Sequence, residues 1–526
     1  MTEQSNINQL SAQDAQFLYI QSPTNLTHVM AVYIYDPSTA PGGKVRFKDI
    51  IEHMRKRMDI SPMFKRKLYR LPLDIDHPYW VEDEHFDLEA HISHSRLPEP
   101  GDWRQFCIHV ARHHSKPLDM NRPLWDMYVL EGLDNIPGYA KGSYAILTRI
   151  HHSTIDGVSG AHFFAAISDK DPQGTPAIPL PKSKTKANDL PTTAEILNRA
   201  INSTVTSPVK LTQALMKFAP ALLSSAQKNL TGGADKTDSG VPQTRFNAAV
   251  TPHKMFDAIT FDLDELKQMR RKVQEATIND VVLAICSGAL RHYLTKHKEL
   301  PDESLVAVAP VNARSRSGDE SNPGNNISAM TIKIWSNIED PLERLEAIRD
   351  TTRETKAAKS GLSARIMTDL SKHIPGVTMA GVSRILTDER FAPKMSNLMV
   401  SNVPGPQIQL YMNGAKLTHQ YGLAPLAHGM GLFIATPSYN GTISFSIISD
   451  RKIMPDIEFF RECLQKAFNE LRDAKPSEVA KQPKKASKPR EESPVSTDGS
   501  VMYRRVTKKP RTGASKPTSG GKSKGN

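Results

Sequence analysis

Residues 149–160 read RIHHSTIDGVSG, with His151 and His152 side by side and Asp156 and Gly157 shortly after them. A neutral imidazole is the side chain best matched to taking a proton near pH 7. The stretch therefore admits four readings: a general base, a pair of structural histidines, a Ser–His nucleophile, or a metal site. The preceding residues, YAILTRIHH (144–152), read as a strand, whose side chains alternate between faces. Tyr144, Ile146, Thr148, Ile150 and His152 would share one face, and Ala145, Leu147, Arg149 and His151 the other. Two histidines on opposite faces do not converge on one ion, and the i,i+4 spacing of helical zinc sites is absent. Ser153 has no GxSxG elbow and nothing local to mark it as a nucleophile. Gly157 and Gly160 permit a tight reversal at the strand's end. On these residues alone, a general base and a structural pair remain evenly matched, and Asp156 remains open as a third catalytic member.

The elements around this strand read as mixed α/β. HVMAVYIYD (28–36) and LWDMYVLEGL (124–133) resemble strands, while FKDIIEHMRKRM (47–58) and WRQFCIHVARHHS (103–115) carry apolar residues at helical spacing. Pro123, Leu124 and Trp125 sit where the 124–133 strand begins, and packing is their favoured role over substrate contact. A second α/β unit starts near residue 246. TINDVVLAICSGALRHYL (277–294) is a strong helix, and Thr277 with Asp280 has the spacing of a capping box. Asn279 and Asp280 are thus equally a helix cap and support for an active site. Strands are expected at 304–313, 325–335 and 398–406, a hairpin over 431–450 turning at Asn440-Gly441, and a closing amphipathic helix at 457–474. The 398–406 strand ends in Ser401, Asn402, Val403, Pro404, Gly405 and Pro406, a rigid turn able to border a channel.

These elements divide the chain into units at 1–170 and 246–474, a Pro- and Lys-rich linker at 171–245, and a tail at 475–526. Residues 194–230 of the linker form a basic amphipathic stretch suited to covering the protein or to lying on an anionic membrane. The tail holds fourteen Lys and Arg against four Asp and Glu, which is +10 of the chain's formal +12. The remaining chain is close to neutral, so no nucleic-acid partner is expected. The tail cannot bury enough surface to offset its ordering entropy and is expected to be disordered. The three cysteines, Cys107, Cys286 and Cys463, are far apart and suit a reducing cytoplasm rather than a disulfide or zinc framework. No secretory signal and no apolar run of membrane-spanning length is apparent.

HHSTIDG (151–157) fits HHxxxDG and resembles the CoA-dependent acyltransferase superfamily. Further stretches, among them RPLWDMYVLEGL (122–133), ATINDVVLA (276–284), NPGNNIS (322–328) and LMVSNVPGP (398–406), resemble bacterial wax ester synthase/diacylglycerol acyltransferases. The similarity runs from about residue 10 to 470 and stops at the tail. It implies two chloramphenicol-acetyltransferase-like α/β domains with the active site in a channel between them. It also implies transfer of a fatty acyl group from acyl-CoA to a fatty alcohol or diacylglycerol, with acyl-CoA as co-substrate and no cofactor or metal. By the same resemblance, His152 is the general base, His151 its supporting neighbour, Asp156 an anchor of the loop, and Gly157 the former of the turn. A cytoplasmic protein held peripherally at a membrane or lipid inclusion is expected. The competing expectations are a condensation-type enzyme using carrier-bound thioesters and a non-catalytic lipid-droplet coat.

Overall fold

A computed structural model of the protein describes residues 9–71, 76–154, 163–164, 167–176, 241–312, 327–357 and 396–475. Asp156, Gly157, most of the linker with its 194–230 stretch, residues 322–326 of NPGNNIS and nearly all of the tail lie outside these residues.

The first half contributes α1 (Ala12–Tyr19), β1 (His28–Asp36), α2 (Phe47–Arg55), β2 (Arg66–Tyr69), β3 (Tyr79–Glu82), β4 (Ile92–Arg96), α3 (Trp103–His114), β5 (Trp125–Glu131) and β6 (Tyr144–His151). The second contributes β7 (Lys254–Asp262), α4 (Leu263–Arg270), α5 (Ile278–His297), β8 (Val306–Asn312), β9 (Ile327–Lys333), α6 (Pro341–Ala357), β10 (Leu398–Pro404), β11 (Tyr411–Met412), β12 (Ala415–Leu423), β13 (Leu432–Tyr439), β14 (Thr442–Asp450) and α7 (Ile457–Asp473). Two six-stranded sheets result, ordered β11-β12-β1-β6-β5-β4 and β7-β14-β13-β10-β8-β9, with β2 and β3 as a separate ribbon.

β6 is central to the first sheet and every one of its residues is buried. Alternation is clear along it. Ala145 and Leu147 pack into one core with Phe106 and Val110 of α3, while Tyr144, Ile146 and Ile150 pack into another with Ile50 and Met54 of α2. Burying each such aliphatic side chain contributes about 1.5–3 kcal/mol, so the two faces fix the strand's register. In the second sheet β13 and β14 form the expected hairpin, with Asn440 at φ 42° and Gly441 at φ 84°. Positive φ at both positions is what a tight two-residue turn demands.

One strand departs from the division of the chain into halves. β12 follows β10 in sequence yet pairs antiparallel with β1, from Met30 opposite Leu423 to Asp36 opposite Lys416. It also touches the second sheet, where the Gly422 N–H donates to the Ser446 hydroxyl at 3.1 Å. The segment thereby stitches the two sheets into one compact unit spanning residues 1–476. Its polar centre, Thr418-His419-Gln420, hides the strand period from a reading of the sequence.

Candidate active site

β6 ends at His151, and His152 opens a single 3-10 turn over residues 152–154. His152 is therefore outside the strand, and the turn rather than the pleat separates the two rings. The His152 backbone N–H donates to the Thr27 carbonyl at 2.9 Å. Its ring lies flat on Phe17 of α1, with centroids 3.9 Å apart and planes 14° from parallel. Its Nδ1 is buried and has no hydrogen-bond partner among the described residues. Burial holds the ring's pKa below its ordinary 6.5, and a contact with its own backbone opposes that shift.

His151 has the opposite character. It is fully buried, and both ring nitrogens are occupied. The Ser153 backbone N–H donates to Nδ1 at 3.2 Å, which makes Nδ1 an acceptor and places the ring proton on Nε2. That Nε2–H faces the Gln21 Oε1 at 3.0 Å and the Thr27 Oγ1 at 2.9 Å. Burial, then the charges of His28 and His152, bring the His151 pKa down to about 3. The Ser153 hydroxyl lies 2.7 Å from Nδ1, a distance suited to a nucleophile–base pair. An imidazole with so low a pKa is a poor proton acceptor, however, and Ser153 is itself buried.

The strand end is braced from the side. Arg149 is buried and donates its Nε to Asp126 at 3.0 Å, one guanidinium nitrogen to the His113 carbonyl at 2.8 Å, and a further hydrogen bond to the Lys116 carbonyl. These bonds join β6 to the C-terminal end of α3. Burial alone would raise the Asp126 carboxyl, yet the His113 ring 3.6 Å away and the hydrogen bonds and charge of Arg149 hold it well below the usual carboxylate range. His28, directly opposite His151 in the β1–β6 register, bonds the His114 carbonyl at 2.8 Å through its Nε2.

This concentration of buried neutral histidines sets a pH dependence of stability. Burial and then Arg149 depress His28 to about 4, burial depresses His151 to about 3, and burial pushes His114 far down as well. Unfolded, each would titrate near 6.5. The stability they contribute is fully present above that pH. It is lost as pH falls toward about 4, because the unfolded chain takes up protons that the folded one refuses. Each histidine contributes a slope of up to about 1.4 kcal/mol per pH unit in that window. Thermal denaturation should thus show a melting temperature dropping steeply between pH 6.5 and 4.5. A flat profile over that range would refute the assignment.

The sequence matches along nearly the whole described chain. Residues 10–282 match the wax ester synthase/diacylglycerol acyltransferase (WS/DGAT) catalytic domain, and residues 323–472 match the WS/DGAT C-terminal domain. The chain belongs to this family. It is 31% identical over 470 residues to the putative diacylglycerol O-acyltransferase Rv1760 of Mycobacterium tuberculosis, covering 88% of this chain and 89% of that one. It is 30% identical over 451 residues to the O-acyltransferase WSD of Acinetobacter baylyi, covering 85% and 93%. Among solved structures, the wax ester synthase/diacylglycerol acyltransferase of Marinobacter aquaeolei VT8 superposes with a TM-score of 0.62 at 25% identity, over 88% of this chain and 98% of that one. A trichothecene 15-O-acetyltransferase from Fusarium sporotrichioides shares the fold, with a TM-score of 0.53 at 13% identity.

In this WS/DGAT chain the other sequence-derived positions fall into three places. Leu124 and Trp125 lie directly behind the histidines: the Leu124 carbonyl accepts the His151 N–H at 2.9 Å. Leu124 packs with Leu18 and Tyr19 of α1, and the Trp125 indole donates to the Phe64 carbonyl at 3.1 Å while stacking on His91. Pro123 turns the chain into β5, its carbonyl accepting the Trp125 N–H at 2.8 Å. Asp280 caps α5: its carboxylate accepts from the Thr277 N–H at 2.7 Å, and its other oxygen accepts from Thr352 of α6 at 2.7 Å. Asn279 is half-buried beside it. Ser401, Asn402, Val403 and Pro404 end β10, followed by Gly405 and Pro406. A Cβ on Gly405 would meet the Ser438 carbonyl at 2.2 Å, so only glycine permits that approach to β13. No hydrogen bond or ring contact joins 279–280 or 401–406 to either histidine among the described residues.

Phe17, Gln21 and Thr27 hold both histidines, and sequence reasoning assigned none of them a role. All three lie near the start of the resemblance, which begins at about residue 10, but only the tertiary fold sets them against the histidines.

Proposed function

We propose that this WS/DGAT-family protein transfers a fatty acyl group from acyl-CoA to the hydroxyl of a long-chain alcohol or of diacylglycerol, with His152 as general base. The observation that carries this reading is the division of labour in the histidine pair. His151 has both nitrogens committed, while His152 is held through its backbone N–H and by stacking on Phe17, and its buried Nδ1 has no hydrogen-bond partner among the described residues. A proton on Nδ1 leaves the Nε2 lone pair for a substrate hydroxyl. The alcohol oxygen attacks the thioester carbonyl as its proton passes to Nε2. The carbon–sulfur bond then breaks, and the same proton goes to the departing thiolate, leaving an ester and free CoA. A thioester is already activated, so no covalent acyl-enzyme is required.

In this reading Asp156 anchors the loop after the turn, Gly157 shapes it, and the 401–406 turn borders a channel between the 1–170 and 246–474 units. The basic 194–230 stretch and the tail are suited to holding the protein at an anionic lipid surface. No helix among the described residues is long and apolar enough to cross a membrane. The test is thin-layer separation of lipids formed by the purified protein from radiolabelled palmitoyl-CoA, with hexadecanol and diacylglycerol supplied singly and in competition. Labelled wax ester or triacylglycerol is expected. Formation of neither would defeat the proposal, and thiol release into a product other than these esters would redirect it to another acceptor.

A further inference from the structure

The loop between α1 and β1 carries residues that hold the histidine pair, and it is itself held from the other half of the chain. Its Ser22–Asn25 turn is closed by reciprocal backbone bonds: the Ser22 N–H donates to the Asn25 carbonyl at 3.0 Å, and the Asn25 N–H to the Ser22 carbonyl at 3.1 Å. The buried Asn25 side chain adds a bond to the Ile20 carbonyl at 3.3 Å, which ties the turn to the end of α1. Gln21 leads into this turn and Thr27 follows it, and both meet His151 Nε2. The Thr27 hydroxyl donates to the Phe17 carbonyl at 2.8 Å, and the Thr27 carbonyl accepts the His152 N–H. The placement of this turn therefore sets where both rings stand.

His428, between β12 and β13, reaches the same turn. The Val250 N–H donates to its Nδ1 at 3.1 Å, which makes Nδ1 an acceptor and places the ring proton on Nε2, 3.3 Å from the Thr24 hydroxyl oxygen. The segment carrying the ring is pinned in turn. The Gly429 N–H donates to the Ala248 carbonyl at 3.2 Å, the Gly431 N–H to the Phe246 carbonyl at 2.7 Å, and the Asn247 amide to the Gly429 carbonyl at 3.1 Å. Lys254, at the start of β7, donates to the Thr24 carbonyl at 3.1 Å and to the Thr251 carbonyl at 2.6 Å. A single bond to Thr24 would leave the turn free to pivot. Two bonds, from different elements to different atoms, fix its orientation. We infer that His428 is a positioning residue for the histidine pair, holding Thr24 so that Gln21 and Thr27 keep His151 and the His152 backbone in the reacting geometry. Ester formation at the end of β6 then depends on a side chain from the second half of the chain. The inference rests on the proposed role of His152 and adds the group that fixes its setting.

The test measures kcat and KM with palmitoyl-CoA and hexadecanol for the full-length His428→Phe and Thr24→Val proteins, each alone, together, and His428→Phe combined with His152→Ala. His428→Phe keeps a ring and removes both of its bonds, and kcat should fall about ten- to a hundredfold, as for a misplacement of up to about 1 Å at the reacting groups. KM for palmitoyl-CoA should stay within about twofold, because the ring acts on the reacting geometry and not on the bound thioester. Thr24→Val, which drops only the hydroxyl, should reproduce the loss, and the two changes together should be no worse than either alone. His428→Gln, whose amide can again donate to Thr24, should recover part of the rate. In the His152→Ala protein, adding His428→Phe should cost less than about twofold, since the group being positioned is gone. A kcat within about twofold of wild type in His428→Phe would overturn the inference, and so would a tenfold further loss in the His152→Ala protein. If His428→Phe does not fold, an unimpaired Thr24→Val overturns it instead. His152→Ala at full activity would remove the base and the positioning role together, whereas a crippled His152→Ala beside an unimpaired His428→Phe would remove the positioning role alone.

Discussion

Replacing His152 with alanine lowers ester formation by about 10²- to 10⁴-fold, the range for removing a positioned acid–base group. The loss should appear in kcat, because in the proposed mechanism the ring acts on the hydroxyl as it reacts and contributes little to holding the acyl chain. The fold should survive, since the His152 Nδ1 has no hydrogen-bond partner among the described residues and the backbone bond to Thr27 does not depend on the ring. Removing the ring also opens a space above Phe17 that free imidazole can enter. Millimolar imidazole should therefore restore part of the His152→Ala rate and leave wild type unaffected. His152→Ala at full activity would remove the base from the mechanism. His151→Ala, by contrast, should fail through stability, as it strands Gln21, Thr27 and Ser153 in a buried pocket.

The second large effect is structural. Arg149→Met should destabilise the protein by about 3–5 kcal/mol, the cost of removing one member of a buried ion pair. Asp126 would lose its principal cation, and the carbonyls of His113 and Lys116 would lose their donor. Arg149→Lys should not rescue the defect, because an ammonium cannot bond two carboxylate oxygens and two separate carbonyls in one plane. Thermal denaturation and limited proteolysis would report the loss. Activity should fall alongside, since Arg149 braces the strand that ends in the histidines. A variant with wild-type melting behaviour would show that α3 and β6 are held by apolar packing alone.

How much of this was legible in the sequence varies by element. β6 announces itself through alternation, and the 432–450 hairpin through Asn440-Gly441, because both are local signals. The Thr277–Asp280 box was also legible, and the structure adds the bond from Thr352 that only tertiary contact can supply. β12 was not legible: it joins β1 across nearly 400 residues, and its polar centre is accommodated by two neighbouring sheets rather than by one apolar face. The site follows the same pattern. Alternation separated His151 from His152 on paper, and the structure separates them through a turn at the strand's end. Thr27 and Gln21 could not be found locally, since a threonine and a glutamine near a strand are ordinary residues until His151 is set against them. Arg149 stood beside the motif, yet nothing local revealed that its partners are Asp126 and the end of α3.

In the proposed mechanism the alcohol oxygen attacks the thioester directly, with one imidazole moving the proton. Its most direct test mixes the protein with palmitoyl-CoA, with and without hexadecanol, and follows thiol release together with the intact mass of the protein. Direct attack should give no stoichiometric thiol burst without alcohol, one ester per thiol when alcohol is present, and an unmodified protein mass throughout. A burst equal to the enzyme concentration without acceptor, with a palmitoyl group on Ser153, would contradict it.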